Sequence, residues 1–207
     1  MVDDLYQTVN STSSGDFRDR GSKFPSALFP CQSLEELDER IKILRKEHPS
    51  ARHFCFAAIL NEGKLMKSND DGEPSGTAGL PILNQLQSVG LIDVGLVVVR
   101  YFGGTKLGKP GLINAYKESA REAIENAKII QKVRSSVVSI RFNYDDTGEV
   151  MKTVERIAHH KIQNQTFEES CTVTVSVPRS TLPDVLHLFD HSNSINISPI
   201  SEPNPDL

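Results

Sequence analysis

Apolar positions along the chain change their spacing in a way that predicts alternating strands and helices. Before about residue 133, apolar side chains spaced three and four apart predict helices that begin after Ser33, near Leu80 and at Pro110. The segment 92–100 (IDVGLVVVR) has no polar face, so we expect a central strand covered on both sides. The run 23–31 (KFPSALFPC) is also predicted to be a strand.

The strand at 23–31 contains two prolines, Pro25 and Pro30. Proline cannot donate a backbone hydrogen bond to a sheet ladder, so we expect this strand at a sheet edge or irregular. Ser33 follows, with Glu36 three residues later, and this capping-box spacing predicts the start of the first helix.

Changes in composition divide the chain. Residues 1–15 are polar without periodicity and are predicted to be a flexible lead-in, and the acidic, Pro-rich segment 201–207 is predicted to be a disordered tail. The apolar spacing and the charge both change near residue 134, which predicts an N-terminal domain over 16–133 and a C-terminal domain over 134–200.

The predicted C-terminal domain has its own order of elements. Alternating apolar residues predict strands, and two helical stretches lie between them, in the order βαββαβ. This order is that of a ferredoxin-like unit. The predicted fold class is therefore α+β, with a βα domain followed by a ferredoxin-like domain.

Charge is distributed unevenly along the chain. Residues 135–207 hold 5 of the 23 basic and 10 of the 27 acidic side chains, and residues 1–134 hold the remaining 18 and 17. Neither part has the basic excess typical of nucleic-acid-binding domains. RNA binding would therefore need a local basic patch.

The sequence also predicts a compartment. It shows no apolar run of membrane-spanning length and no basic-then-apolar N-terminus, so we expect no membrane partner. Its three cysteines lack paired spacing and are expected to be reduced core thiols. Both features favour a cytoplasmic protein.

An acidic, glycine-rich loop at 69–79 (NDDGEPSGTAG) precedes the second predicted helix. Its three carboxylates are those of Asp70, Asp71 and Glu73. Pro81 fits within the first turn of the helix, which makes Thr77 the predicted N-cap. The helix N-terminus attracts anions, either the protein's own carboxylates or the phosphate of a ligand, and both alternatives stay open.

A second glycine-rich loop, 103–109 (GGTKLGK), joins the central strand to the third helix. The spacing from Gly103 to Gly108 and Lys109 resembles a phosphate-binding P-loop, but Pro110 occupies the position of the hydroxyl residue that would bind magnesium. We therefore do not predict a P-loop. Lys106 and Lys109 beside a helix N-terminus are still suited to holding a phosphate or sulfate.

Three separated segments resemble the signature of the IMPACT (YigZ-like) family. They are DDGEPSGTAG at 70–79, VRYFGG with KLG at 99–108, and the GL and AY pairs within 111–116. The βαββαβ order resembles the C-terminal domain of bacterial members. Two positions depart from the family pattern, since Pro110 replaces a usual glycine and Asn114 a common arginine. Loss of that arginine weakens anion binding at this corner, because asparagine cannot make bidentate charged contacts.

The resemblance implies more about fold and function. The N-terminal domain should look like the second domain of the ribosomal S-five protein, and the C-terminal domain like the fifth domain of elongation factor G. Both of these relatives work on RNA and the ribosome. Eukaryotic members modulate starvation-sensing control of translation initiation through an additional N-terminal module, and that partner interaction is not expected to carry over.

The leading functional hypothesis is a non-catalytic, translation-associated regulator that binds RNA, the ribosome, a protein partner or a small anion. Basic side chains would contact phosphate, and Tyr101 and Phe102 would stack on bases unless they belong to the core. We expect the two glycine loops to face one another across a shared pocket. The candidate binding residues are Asp70, Asp71, Glu73, Ser75, Thr77, Arg100, Tyr101, Gly103, Gly104, Lys106, Lys109, Tyr116 and Lys117.

The alternative is an enzyme acting on a phosphorylated or otherwise anionic small molecule. Asp70, Asp71 and Glu73 would then serve as metal ligands or as a general base. No nucleophile paired with a base can be identified from the sequence. We therefore assign no catalytic residue, no metal site and no cofactor at this stage.

Overall fold

The computed structural model describes residues 4–168 and 170–200. The chain divides into two compact units, one formed by residues 6–132 and the other by residues 4 and 5 together with 133–200. In the described part of the chain, no helix combines the length and the apolar character needed to cross a membrane.

Residues 4–133 contain seven strands and three helices. The strands are β1 (Leu5–Val9), β2 (Ser13–Asp19), β3 (Ser22–Pro30), β4 (His53–Leu60), β5 (Leu65–Asn69), β6 (Val94–Arg100) and β7 (Ile129–Val133), and the helices are α1 (Leu34–Glu47), α2 (Gly79–Ser88) and α3 (Gly108–Glu125). Five strands form an antiparallel sheet in the order β2-β3-β6-β4-β5, and β1 pairs with β7 in a separate sheet.

Strand β6 lies at the centre of the five-stranded sheet and is buried along its whole length. Its alternate residues point to opposite faces. Val94, Leu96 and Val98 pack in a core with α2 and α3, whereas Val97 and Val99 pack in a core with α1. The prediction of a central strand covered on both sides is confirmed.

Helix α1 begins as the sequence predicts. The Ser33 hydroxyl accepts a hydrogen bond from the Glu36 backbone N–H, and the Glu36 carboxylate accepts one from the backbone N–H of Gln32. Leu37, Ile41 and Leu44 form the buried face of this helix. The start of α1 predicted from the capping box and the buried face predicted from the apolar spacing are therefore both observed.

The prediction of a flexible lead-in is wrong for residues 4–15, which include β1 and the start of β2. Strand β2 lies directly against α3, and a Cβ atom on Gly15 would be only 2.7 Å from the backbone oxygen of Ser119. The Ser13 hydroxyl donates to the backbone oxygen of Ala123 at 2.7 Å. The small polar residues that resemble a linker are those that allow this close approach. Residues 1–3 and the predicted tail at 201–207 lie outside the described residues.

The edge position predicted for the proline-containing strand is also wrong. β3 lies between β2 and β6. Its pairing with β6 covers residues 26–30, so Pro25 lies outside this ladder and Pro30 is its last residue. The Lys23–Tyr101 bridge continues the same register on the other side of Pro25, so this proline interrupts the pairing of β3 with β6, and the predicted alternative of an irregular strand is the one observed.

The remaining elements form the predicted βαββαβ order. They are β8 (Ser135–Phe142), α4 (Thr147–Glu155), β9 (Lys161–Thr166), β10 (Cys171–Pro178), α5 (Leu182–Leu186) and β11 (Asn196–Ile200). The strands form an antiparallel sheet in the order β11-β8-β10-β9, with one core built from its inward-facing residues. The α+β fold class is confirmed, while the likeness to the ribosomal S-five and elongation factor G domains stays a prediction.

The three cysteines are free thiols, and each is buried in a different core, as predicted. Burial, followed by the nearby Glu36 carboxylate, raises the pKa of Cys31 to about 12. Burial likewise raises the pKa of Cys55 well above its ordinary value. Both remain protonated near neutral pH, so neither is an activated nucleophile.

Gly95 in β6 provides a test of packing at the centre of the sheet. A Cβ atom at this position would lie 2.8 Å from the Phe29 ring and 3.2 Å from Leu37, both of which are buried. We expect Gly95→Ala to lower the free energy of unfolding by about 1–3 kcal/mol, because the core must shift to admit the methyl group. Urea unfolding followed by far-UV circular dichroism measures this change.

Gly148 in α4 provides the matched control. Nothing lies within 4 Å of its would-be Cβ atom. Gly148→Ala should therefore raise the free energy of unfolding by roughly 0.5–1 kcal/mol, since alanine is the better helix former. Effects of the same sign at both positions would contradict the packing explanation for Gly95.

Candidate functional site

The two glycine-rich loops meet beside the start of α3 and enclose a pocket of about 450 Å³, here called the α3 pocket. Its lining comes from the first loop, from the end of β6, from the second loop and from the first turns of α3: Glu73, Pro74, Arg100, Phe102, Lys106, Leu107, Gly108, Lys109 and Leu112. The predicted juxtaposition of the loops is confirmed. Ligand binding there remains a prediction.

Arg100, the last residue of β6, lies in the wall of the α3 pocket and is only 7% exposed. Its Nη1 donates to Glu73 Oε1 at 2.5 Å. The guanidinium carbon lies 5.5 and 5.6 Å from the centroids of the Phe24 and Phe102 rings. Arg100 is therefore a buried cation whose charge Glu73 balances, and the expectation that it is exposed at the surface is wrong.

Glu73 has a second hydrogen-bond partner, Tyr116. The Tyr116 hydroxyl donates to Glu73 Oε1 at 2.9 Å, and Cys55 Sγ lies 3.3 Å from the same hydroxyl. Burial, then the neighbouring Cys55, raises the pKa of Tyr116, so its hydroxyl remains a donor. Tyr116 is fully buried and does not line the pocket, so it positions Glu73 and is not itself a binding residue.

Asp70 closes the N-terminus of α2. Its Oδ1 accepts from the backbone N–H groups of Ala78 and Gly79 at 2.9 and 2.8 Å, and its Oδ2 accepts from Gly76 at 2.9 Å. Burial acts to raise the pKa of Asp70, but these three donors outweigh it and lower that pKa below its ordinary value. The alternative in which the protein's own carboxylate occupies this helix end is therefore the one observed.

Thr77 is not the N-cap that the sequence predicts. The helix begins at Gly79 after Ala78, and the Thr77 hydroxyl instead donates to the backbone oxygen of Pro74 at 2.6 Å. This bond ties together the turn that carries Glu73. The role of Thr77 is thus to shape the first loop.

Asp71 points away from the other two carboxylates. It accepts from Arg45 Nη2 at 3.0 Å and from the Phe54 backbone N–H at 2.7 Å. Asp70, Asp71 and Glu73 therefore have three separate sets of partners, and the described residues contain no group of three metal-ligating side chains. The hypothesis that these acids form a metal site is wrong for this arrangement.

Gly103 and Gly104 determine the path of the second loop. A Cβ atom on Gly103 would lie 2.0 Å from the backbone carbon of Gly21, so only glycine allows this approach. Gly104 has a φ of +89°, in the left-handed region that favours glycine. Neither lines the pocket, and both act by shaping the loop.

Three further candidates lie outside the α3 pocket. The Tyr101 hydroxyl is 2.7 Å from His48 Nδ1, and its ring packs with the α1 core on the other face of the sheet. Lys117 is half-exposed, 3.8 Å from Glu118, and Ser75 is exposed on the first loop. For Tyr101, the alternative of core packing that the sequence left open is therefore the one observed.

The exposed side chains of the α3 pocket are basic and aromatic. Lys106 and Lys109 are exposed, and Phe102 is 54% exposed. Helix α3 begins beside them without a side-chain cap and without an acidic residue in its first turn. Its N-terminal N–H groups and positive dipole end therefore add to the charge of the two lysines.

Pro74 and Leu112 also line the pocket, although residue-by-residue reasoning from the sequence did not select them. Both fall within the segments 70–79 and 111–116 that carry the family resemblance. Membership of those segments was the signal that could have identified them. Both contribute apolar surface to the lining of the pocket, beside its charged groups.

Comparisons with known proteins point to one family. The model of the Impact N-terminal domain matches residues 20–124, a range that contains both loops and the whole α3 pocket. The chain is 36% identical over 146 residues to the IMPACT family member YvyE of Bacillus subtilis, covering 70% of this chain and 67% of that protein. It is 31% identical over 164 residues to an IMPACT family member of Haemophilus influenzae, covering 78% and 79%.

A solved structure matches nearly the whole chain. It is the crystal structure of a hypothetical protein, with a TM-score of 0.69 and 26% sequence identity, covering 97% of this chain and 99% of that one. The similarity therefore extends beyond the N-terminal domain to the ferredoxin-like unit.

The Asp70 cap generates a prediction about acid stability. Because folding lowers the pKa of Asp70, its contribution is complete above the unfolded pKa of about 3.9 and is lost as the pH falls through the folded pKa. We expect Asp70→Asn to lower the free energy of unfolding by about 0.3–1 kcal/mol at pH 7 and by less near pH 2, because the amide lacks the negative charge that interacts with the positive end of α2. Urea unfolding between pH 2 and 7 measures both values.

Asp38→Asn serves as the control, because Asp38 is an exposed aspartate on α1. At pH 7 its free energy of unfolding should stay within about 0.5 kcal/mol of that of the unsubstituted protein, as is usual for an exposed substitution. A constant loss in Asp70→Asn across the whole pH range would show that the carboxylate charge is not what caps α2.

The hydrogen bond that Tyr116 donates to Glu73 generates a second prediction. Tyr116→Phe leaves the buried Glu73 carboxylate with one donor fewer, and we expect a loss of about 1–3 kcal/mol in the free energy of unfolding. Tyr101→Phe removes a hydroxyl that is only half-buried, so a smaller loss of roughly 0.5–1 kcal/mol is expected. Parallel urea titrations compare the two. Equal losses in the two variants would show that the buried hydrogen bond of Tyr116 stabilises the fold no more than the half-buried one.

Proposed function

The chain belongs to the IMPACT family, and from that premise we propose that it is a non-catalytic, translation-associated regulator that binds RNA or the ribosome through the α3 pocket. The proposed role in translation follows from the resemblance to this family, because its eukaryotic members modulate translation initiation. The mode of binding follows from the pocket itself. A protein partner that presents the same anionic chemistry would use the same surface.

The observation that carries the proposal is the separation of charge around the pocket. The nearby acids are all occupied: Asp70 by the start of α2, Asp71 by Arg45 and Glu73 by Arg100 and Tyr116. Lys106 and Lys109 form no ion pair with any carboxylate of the described residues. The pocket therefore presents uncompensated positive charge to the solvent.

The aromatic ring of Phe102 favours a nucleic acid over a simple anion. An exposed ring beside a basic groove provides a surface on which a base can stack, and such stacking contributes about 1–3 kcal/mol per base. Phosphate contacts from the lysines and stacking on Phe102 would act on the same nucleotide. This combination is typical of proteins that bind single-stranded nucleic acid.

A local patch also accounts for the charge of the chain. Residues 1–134 are nearly neutral, so non-specific attraction to RNA is weak across the domain as a whole. Binding would be concentrated where the carboxylates have been neutralised by internal partners. Affinity should therefore depend on a small number of lysines.

Charge reversal of the pocket lysines tests the proposal. We expect Lys106→Glu with Lys109→Glu to abolish most binding of a single-stranded RNA at low salt. The slope of log affinity against log salt should fall by about 0.7 for each lysine that contacts a phosphate, because fewer counterions are released. Fluorescence anisotropy with a labelled RNA across a salt series, repeated with purified ribosomes, provides the measurement.

Lys42→Glu with Lys67→Glu is the matched control. Both lysines are exposed in the same unit but outside the pocket, so the change in net charge is identical. Exposed positions contribute within about 0.5 kcal/mol to stability, so both double variants should fold. Absence of salt-dependent binding by the unsubstituted protein, or equal losses in the two variants, would contradict the proposal.

A further inference from the structure

The size of the α3 pocket is suited to the end of a nucleic acid. A pocket of about 450 Å³ is within the usual range for sites that enclose a small molecule. Pro74 and Leu112 contribute to its walls. An internal phosphate must enter and leave such a pocket with the chain on both sides of it, whereas a terminal phosphate only has to enter.

The charge of the pocket matches a phosphate monoester better than a diester. Lys106 and Lys109 contribute two positive charges, and the uncapped start of α3 adds roughly half a charge. Arg100 adds no net charge because Glu73 balances it. A monoester carries about −1.5 to −2 at pH 7, whereas an internal diester carries about −1. The dianion therefore neutralises more of the positive charge.

Arg100 provides an independent indication that the pocket takes an anion. Its side chain is more than nine-tenths buried and lines the pocket, yet it makes one hydrogen bond, from Nη1 to Glu73. Its Nε also lacks a partner among the described residues, but this atom is shielded from solvent, so a ligand in the pocket would reach only the terminal N–H groups of the guanidinium. A guanidinium has five N–H donors, and a phosphate seated against this wall would supply acceptors for donors that Glu73 leaves unused.

Phe102 extends the site from a phosphate to a nucleotide. Its ring contacts the Arg100 guanidinium, with 5.6 Å between ring centroid and Cζ, and more than half of the residue is exposed at the same pocket. Inorganic phosphate would use the lysines and α3 but leave this ring uncovered. A phosphate that carries a base would use both.

We propose that the α3 pocket binds the phosphate monoester of a nucleotide, either at the 5′ end of an RNA or in a free mononucleotide. This inference rests on the proposed function, which it makes more specific. Lys106, Lys109 and the start of α3 hold the phosphate, Arg100 contacts it from the wall, and Phe102 stacks on the first base. The protein would thus distinguish phosphorylated from unphosphorylated RNA ends.

The test compares three ligands at one salt concentration: a short single-stranded RNA with a 5′-phosphate, the same RNA with a 5′-hydroxyl, and adenosine monophosphate. The phosphorylated RNA should bind at least about tenfold more tightly than the 5′-hydroxyl RNA, because it adds charge-assisted hydrogen bonds. This ratio should shrink at pH 5, where the monoester loses its second charge. Isothermal titration calorimetry measures all three affinities.

Two variants locate the preference. Lys106→Gln with Lys109→Gln should bring the two RNAs to nearly equal affinity, whereas Phe102→Leu should weaken both RNAs and leave their ratio unchanged. Unchanged thermal melting shows that each variant is folded. A preference for the 5′-phosphate that survives in the lysine variant would overturn the inference, because the phosphate would then be recognised elsewhere.

The outcomes separate this inference from the proposed function. Equal affinity for the two RNAs, with both lost on charge reversal of the lysines, overturns the monoester site and leaves RNA binding intact. Failure to bind either RNA or adenosine monophosphate overturns both. Competition by adenosine monophosphate at concentrations similar to those of the phosphorylated RNA supports a free-nucleotide site, and competition only by the RNA supports an RNA end.

Discussion

The buried ion pair between Arg100 and Glu73 is the constraint on which the rest of the site depends. Removing two charges from water is costly, and the cost is offset only where geometry and additional hydrogen bonds are favourable. Here the Tyr116 hydroxyl supplies one such bond, and two phenylalanine rings lie close to the guanidinium. Together with this tyrosine, the pair links the first loop, β6 and α3. Each of the three segments of the family signature therefore contributes one residue to a single cluster.

The two helix N-termini near this cluster are treated in opposite ways. Helix α2 is closed by Asp70, which accepts three backbone hydrogen bonds, whereas α3 starts without a side-chain cap and beside two lysines. The molecule thus neutralises one positive helix end internally and directs the other to the solvent. This contrast, rather than overall charge, gives the domain a defined site for anions.

The sequence predicted the features that depend on local spacing, including the capping box of α1, the buried strand β6 and the βαββαβ order. It did not predict those that depend on distant partners. The sequence left open whether the protein's own carboxylate or a ligand closes α2, and it gave no apolar pattern at Ser13 and Gly15, whose small size is what lets β2 fit against α3. Strand alternation places Tyr101 on the face opposite Arg100, a signal that the sequence does contain.

The contact between β2 and α3 has a consequence for synthesis of the protein. Ser13 and Ser14 are bonded to residues 110 and 112 positions later in the chain. At ordinary translation rates, β2 must wait on the order of ten seconds after its synthesis before α3 has been made. Such high contact order slows folding, so the nascent chain would expose the edge of β2 to chaperones until α3 emerges from the ribosome.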